Sequence, residues 1–508
     1  MQARPRVLVV GGGISGLVTA YLLSQGPPAQ RPRVTLLETA DRLGGKIRTI
    51  ELAGHRVDLG PDAFLARSEP MRRLLAGLGL TGHVVGPATS GAYVYSGGRL
   101  RRLPAGMIFG VPERLTPLLR SRLLSPAGTV RAGLDLVLPR TRLPEDPSVG
   151  ELLRPRFGEQ AFDRLVEPLL GGVHAGRADL LSARSTVPEI EALARGNRSI
   201  YLALRRARLA RERRAGRPLT TAAPTGLVTL DNGLGTLVDA LAAHLVQAGV
   251  LVRTGVQAVR LERTEEGYRL ALSAAGAPVD PVSADAVVLA TPAYASAELL
   301  SELAPRAAAA LREIDYVDVA SVVLAYPRAA VTRRLDATGF LVPPGEGQLV
   351  VGCSWLTAKW GHLAHGPMIL VRAQVGRAGD HRWMAHEDDA LIAAVHSEVA
   401  PVLGVSCSPE LAYVQRWPRA LPQYAVGHER RLGQLQAELA DLAGVYLTGA
   451  GYRGVGLAGC VAQAEQLAAL VLGTLHPAPE PPAPEPPAPE PPAPEPPAPD
   501  RAREGAPT

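Results

Sequence analysis

The stretch VLVVGGGISGL at residues 7–17, followed by RVTLLETADRLGGK at 33–46, decides the fold. Four apolar residues, 7–10, predict a strand with no polar alternation, as expected of one covered on both faces. Gly11, Gly12 and Gly13 interrupt it. Ile14, Ser15 and Gly16 then open an apolar run that predicts a helix to about residue 23. In this Gly-x-Gly-x-x-Gly, Gly11 permits the tight turn. Gly13 lets a pyrophosphate approach the backbone, and Gly16 lets helix pack on strand. The helix start offers unpaired N–H groups and a positive dipole end to phosphate. A second strand over 33–38 ends in Glu38, 22 residues after Gly16. A carboxylate there accepts hydrogen bonds from ribose hydroxyls and repels a 2′-phosphate. Strand, glycine turn, helix, strand and terminal acid together predict an α/β dinucleotide-binding unit.

The rest of the chain sets limits. At 508 residues and 46% hydrophobic composition, two or three domains are expected. The net charge of +6, from 54 basic and 48 acidic residues, does not argue for nucleic acid. The basic residues are arginines apart from Lys46 and Lys359. Cys353, Cys407 and Cys460 lie far apart without metal-ligand spacing, and His174, His362 and His428 share none, so no metal site is expected. Met1 to Arg6 run straight into a strand, leaving no room for a signal peptide, and no long uncharged apolar run predicts a membrane span. A cytoplasmic protein, soluble or peripherally attached to a membrane, is the expectation.

The pattern divides the chain. Strands are expected near 250–254, 256–261, 268–273, 286–291 and 445–449, with a closing helix over 456–473. The nucleotide unit is therefore expected from three segments, 1–79, 222–296 and 438–475. Between them, 80–221 predicts a largely helical insertion, with helices near 109–124, 126–138, 148–157, 160–170 and 190–214. Residues 297–437 predict a second sheet, with strands near 317–326, 339–342, 348–354 and 368–375. Residues 476–508 form a Pro/Ala/Glu tail of five-residue period that cannot bury apolar surface. Trp355, Trp360 and Trp417 read as core, Cys460 as a packed helix residue, and Arg211 to Arg214 as a solvated helix face.

Further motifs follow in order. Glu38-Thr39-Ala-Asp-Arg42-Leu-Gly44-Gly45-Lys46 resembles the second FAD fingerprint of the flavin amine oxidase superfamily. Asp58-Leu-Gly60-Pro61-Asp62-Ala63 resembles that superfamily's loop beside the isoalloxazine, and Val256 its adenine-contacting strand residue. Residues 285–292 resemble its buried strand ending near the cofactor. Gly449-Ala-Gly451-Tyr-Arg-Gly454-Val455-Gly456-Leu457 resembles its closing flavin motif. Within the superfamily the chain is most similar to the oxygen-dependent protoporphyrinogen/coproporphyrinogen III oxidases, in the Gram-positive-type branch. That similarity is carried by EPLLGGVHAG at 167–176, CSWLTAKWGH at 353–362, LVRAQVGRAGD at 370–380 and RWPRALPQYAVGH at 416–428, which includes Trp417. The usual Pro-Asp before Cys460 is here Ala458-Gly459.

The resemblance implies FAD as cofactor and coproporphyrinogen III as substrate. It implies three rounds of two-electron oxidation, with O2 as acceptor and hydrogen peroxide as product, in haem biosynthesis. No catalytic side chain stands out, because the flavin carries the difficult step. Arg99, Arg101, Arg102 and Arg177 are candidates to pair substrate propionates. A partner enzyme of the haem pathway, or a membrane surface, fits the helical insertion. Protoporphyrinogen IX is the alternative substrate. A flavin amine oxidase or carotenoid-type desaturase is a second enzyme reading, disfavoured by 4% aromatic residues and two lysines. A non-catalytic binding protein of the same fold is the third.

Overall fold

A parallel five-stranded sheet forms the base of the molecule in the order Leu251–Arg253, Arg33–Leu37, Arg6–Val10, Ala286–Leu289, Val445–Leu447. The computed structural model describes residues 4–28, 31–215 and 226–476; the Pro/Ala/Glu tail lies outside them. Helices cover both faces, which is why the strands lack polar alternation. One face packs Val7, Val9 and Val288 on helices Ile14–Leu23, Gly235–Gln247 and Leu457–Leu475. The other packs Leu8, Val10 and Leu289 on a three-stranded antiparallel sheet and helices Ala293–Leu299 and Pro305–Arg312. Strands from three separated segments thus share one sheet, as their apolar runs predict. The sequence reading missed the strand Ala277–Ala284, which contains Pro278 and Pro281; it pairs on one side only, where a missing N–H is tolerated.

The second sheet has seven strands in the order Leu411–Pro422, Tyr316–Pro327, Met368–Val375, Val350–Ser354, Gly339–Leu341, Tyr93–Ser96, Arg99–Arg102. Val371, Ala373 and Val375 face helix Asp388–Leu403, while Leu370 faces Val57 and Leu59 of the first unit. The alternate face of this sheet therefore looks back toward the nucleotide unit.

The region 80–221 departs from a purely helical insertion. Its hairpin Tyr93–Ser96 and Arg99–Arg102 extends the seven-stranded sheet, with Phe340 and Leu341 pairing in parallel to Tyr93 and Val94. The helix expected over 109–124 shrinks to Leu115–Ser121, because Phe109 and Gly110 both take positive φ in a turn between two short strands. The helix expected over 190–214 is two, Pro188–Gly196 and Ile200–Ala215, with the buried Asp135 accepting from the Ser199 hydroxyl at the break. The helix expected over 160–170 contains a π turn, Phe162–Val166, before Glu167–His174. Pro168 there has no N–H to give the preceding turn. Glu212 pairs with Arg114 and Arg208, and Glu212 and Arg208 are only 15% and 14% exposed at the side chain, so this part of the helix is packed rather than solvated; the side chains of Arg211 and Arg214 lie outside the described residues. The helix Leu457–Leu475 is long and apolar enough to cross a membrane, yet Leu457, Val461, Ala464, Ala468 and Val471 are buried in the first core.

Candidate functional site

The glycine turn shows all three physical roles. Gly11 has φ +110°, and a Cβ there would sit 2.9 Å from the Ala290 carbonyl oxygen. A Cβ on Gly16 would be driven into the Gly11 carbonyl, so helix and strand touch backbone to backbone. Gly13 has nothing within 4 Å of its missing Cβ, leaving the middle of the turn open to a ligand. It is also the N-cap of helix Ile14–Leu23, which has no side-chain cap and no acid in its first turn. Ser15 is buried and Ile14 half-buried. Glu38 is held by two amides: Oε2 accepts from Gly12 N at 2.6 Å and Oε1 from Ala40 N at 2.8 Å. Thr39 is exposed beside it, and buried Val256 donates its N–H to the Glu38 carbonyl at 3.0 Å.

The second glycine pair lies on the first turn. Gly44 N donates to Gly12 O at 2.8 Å, and a Cβ on Gly45 would be 3.2 Å from Gly13 Cα. Arg42 donates to the carbonyls of Leu43, Gly45 and Ile47, so its guanidinium organises the loop itself. Lys46 is half-buried, and desolvation of its amine lowers its pKa. No ion pair to Lys46 occurs among the described residues. Cys460 lies in the first turn of the helix Leu457–Leu475, whose N-cap Gly456 also lacks a side-chain cap. Two uncapped helix starts and an enclosed ammonium make this region electropositive.

A buried charge cluster joins the two sheets. Asp62 accepts from Lys359 Nζ at 2.7 Å and Trp360 Nε1 at 3.3 Å, and lies 3.3 Å from Arg372 Nη2. Arg372 Nη1 also donates to the carbonyls of Asp58 and Gly60 at 2.6 and 2.8 Å. Lys359 and Arg372 hold the Asp62 carboxyl below the usual carboxylate range despite burial. The segment Gly60-Pro61-Asp62-Ala63 is therefore clamped from the seven-stranded sheet. A Cβ on Gly60 would overlap the Lys46 carbonyl and lie 3.7 Å from the Trp417 ring. Asp58 accepts from Thr49 Oγ1 and Leu234 N, and burial raises its pKa to about 6.

The closing motif is braced by tyrosines. Tyr424 OH donates to the Ala450 carbonyl at 2.5 Å, Tyr316 OH accepts from Ala293 N, and buried His428 lies 2.7 Å from the Tyr452 carbonyl. Gly451 abuts the Tyr316 hydroxyl. Val455 is half-buried and Gly456 exposed ahead of buried Leu457. Ala458-Gly459 fits this chain, because Gly459 packs against Gly454 so closely that a Cβ would lie 2.9 Å from its Cα.

Of the residues expected to bind FAD, the structure brings Glu38 and Gly45 onto the glycine turn and Gly60 beside the Lys46 carbonyl and the Trp417 ring, while Gly456 and Leu457 open the helix that packs on Ile14–Leu23. The cluster of Lys359 and Arg372 was not singled out in the sequence, although Arg372 is a lone charge in the apolar run MILVRAQV. Of the arginines nominated for substrate, Arg102 pairs with Asp336, Arg101 donates to the Arg122 carbonyl, and Arg99 and Arg177 are exposed. No group of His, Cys, Asp and Glu suited to a metal ion occurs among the described residues.

Comparison with known proteins places this geometry. The chain is 34% identical over 465 residues to coproporphyrinogen III oxidase of Bacillus subtilis, covering 91% of this chain and 97% of that one. It is 30% identical over 467 residues to the chloroplastic protoporphyrinogen oxidase 1 of Arabidopsis thaliana, covering 89% and 83%. Among solved structures it resembles a protein described as a protoporphyrinogen oxidase from Exiguobacterium sp. 255-15, with TM-score 0.79, 29% identity and coverage of 93% and 99%. Reduced UDP-galactopyranose mutase, at 15% identity and TM-score 0.69, shares the fold over 93% and 96%. The model of the flavin containing amine oxidoreductases matches residues 14–472, and the chain belongs to that family.

Proposed function

We propose that this protein is an FAD-dependent oxidase that converts coproporphyrinogen III to coproporphyrin III, with O2 as acceptor and hydrogen peroxide as product, in haem biosynthesis. One observation carries the reading: an intact dinucleotide turn, open at Gly13, in a chain similar over nine-tenths of its length to a coproporphyrinogen III oxidase. FAD is the cofactor. Gly11, Gly12, Gly13, Ile14, Ser15 and Gly16 take its pyrophosphate, Glu38 and Thr39 its ribose, and Val256 its adenine through the backbone. Arg42 acts by shaping the Gly45 loop. Lys46, Gly60, Pro61, Asp62, Ala63 and Trp417 flank the isoalloxazine, Asp62 through its backbone. Gly451, Val455, Gly456 and Leu457 present a helix start to its pyrimidine edge.

When bound, FAD supplies two-electron oxidation. The protein's part is to hold the macrocycle against that face, keep water out, and favour negative charge at the cofactor with Lys46 and two helix starts. The division into 1–79, 222–296 and 438–475 for FAD, 80–221 for the insertion and 297–437 for substrate fits these contacts, with the hairpin at 93–102 shared by the substrate sheet. We also propose a cytoplasmic location with peripheral contact to an anionic surface. Exposed Leu119, Val130 and Val137 among exposed Arg120, Arg122 and Arg140 support it.

The test is turnover of coproporphyrinogen III and protoporphyrinogen IX side by side, read by porphyrin fluorescence and peroxide. A yellow protein preferring coproporphyrinogen supports the reading. Preference for protoporphyrinogen, which the Arabidopsis relative makes the second reading, moves the substrate and keeps the chemistry. A yellow protein inert on both sinks the assignment.

A further inference from the structure

We propose that Arg377 is a carboxylate-binding residue of the substrate site, set to receive one propionate of the porphyrinogen; this rests on the function proposed above. The strand Met368–Val375 presents Arg372 toward the Gly60 segment, and Gln374 follows on the same face by alternation. Gly376 then takes φ +95°, with no room for a Cβ beside the Asp318 carbonyl and the Trp383 indole. The turn directs the chain into the seam between the seven-stranded sheet and the helix Glu167–His174, where Ala378 N donates to the Ala175 carbonyl at 2.7 Å. Gln423 closes the same seam by donating to the His174 carbonyl at 2.9 Å. Its neighbour Tyr424 reaches the Ala450 carbonyl of the flavin motif.

Arg377 is half-buried in that seam, and its Nε is buried with no hydrogen-bond partner. Among the described residues it makes no ion pair. The carboxylates that act on it through space are committed elsewhere. Asp380 binds Arg382 at 2.7 Å. Glu398 accepts from Leu349 N and Val350 N, both at 2.9 Å. Glu167 accepts from Ala178 N at 3.1 Å, and burial raises its pKa to about 7, which weakens it as a counter-ion. Arg382 adds like charge, and burial lowers the Arg377 pKa. A guanidinium drawn from water without a partner is costly unless a ligand completes it, and its planar fork suits a carboxylate. Arg99, Arg102 and Arg177 are exposed, and Arg101, whose Nε is also buried without a partner, donates from Nη1 to the Arg122 carbonyl at 2.9 Å, whereas no side-chain hydrogen bond from Arg377 occurs among the described residues.

The experiment uses the FAD-loaded enzyme and its Arg377→Met and Arg377→Lys variants. Binding of coproporphyrin III and of its tetramethyl ester is followed by porphyrin fluorescence, alongside KM and kcat on coproporphyrinogen III and thermal melting. The free acid should bind Arg377→Met about 10–100-fold more weakly than wild type, the scale of one charged hydrogen-bonded contact. Ester binding should change little. KM should rise by more than kcat falls, Arg377→Lys should recover part of the acid preference, and Arg377→Met should melt no lower than wild type. An unchanged acid-to-ester ratio, or a lower melting temperature with porphyrin binding intact, overturns the proposal and makes Arg377 a structural counter-ion of Glu167. A wild-type enzyme that oxidises neither porphyrinogen overturns the function instead. Free-acid binding that still depends on Arg377 would then leave the carboxylate site standing.

Discussion

Replacing Asp62 with alanine should destabilise the protein by removing the common counter-charge of two buried cations. Arg372 is 3% exposed and Lys359 12% exposed at the side chain. Breaking a buried pair from one side typically costs about 3–5 kcal/mol, because the charge left behind is neither hydrated nor paired. Arg372 keeps its bonds to the Asp58 and Gly60 carbonyls, which places the expected cost toward the lower end, about 3 kcal/mol. A chain with roughly 475 folded residues has an unfolding entropy near ~1 kcal/mol/K, so the melting temperature should fall by about 3 °C if it unfolds as one unit. The segment Gly60–Ala63 loses its anchor at the same time, so FAD should be released at lower temperature. Thermal melting followed by far-UV circular dichroism and by flavin fluorescence reads both. Asp62→Asn should be intermediate, since it keeps an acceptor but loses the charge. Asp62→Ala with Lys359→Met should recover stability relative to Asp62→Ala alone, because one stranded cation is gone. A single variant that melts with wild type, or a double variant no better than the single, would refute the view that this cluster is an electrostatic clamp.

Gly16→Ala places a methyl into the Gly11 carbonyl and should cost ~1–3 kcal/mol by overpacking, with at least tenfold weaker FAD binding by equilibrium dialysis. Glu38→Ala strands the amides of Gly12 and Ala40 and removes the ribose acceptor, so FAD affinity should fall about 10–100-fold; retained affinity would contradict the assignment. His174 is buried and its pKa is depressed to about 4, so the neutral ring contributes stability that is present above its unfolded pKa near 6.5. That stability is lost as pH falls from about 6.5 to 4, up to about 3 kcal/mol by linkage. His174→Phe should flatten this limb of a stability-versus-pH curve measured by urea unfolding.

What was legible in the sequence is what short-range geometry dictates. The glycine turn needs a positive φ at Gly11 and close contact at Gly16, and both constraints lie within six residues. Glu38 is legible because strand length places it beside Gly12. Apolar runs likewise predict the strands of the parallel sheet and four of the seven strands of the second sheet to within a few residues, but not its edge strand Leu411–Pro422, whose charged and polar residues break the pattern. The hairpin Tyr93–Ser96 and Arg99–Arg102 was not legible, since its parallel partner is Gly339–Leu341, far along the chain, and nothing local marks that pairing. The π turn before Pro168 was hidden for a different reason: the sequence there is good helix, and only the missing proline N–H changes its winding.

The same distinction explains why cofactor contacts were easier to expect than the charges that support them. A nucleotide is held largely by backbone, so its site is written as glycines at fixed spacing. The partners of Asp62 lie about 300 residues away, and charge compensation leaves no periodic mark. Asp62 and Arg42 sit inside the flavin motifs, yet their side chains are spent on Lys359 with Arg372 and on three loop carbonyls. Their place in the motif therefore reflects the shape of the loops they brace. That view separates from direct ligation experimentally. Arg42→Lys keeps the charge but loses the fork that spans Leu43, Gly45 and Ile47. It should weaken FAD binding nearly as much as Arg42→Ala, whereas a residue that merely supplied charge to the phosphates would be rescued by lysine.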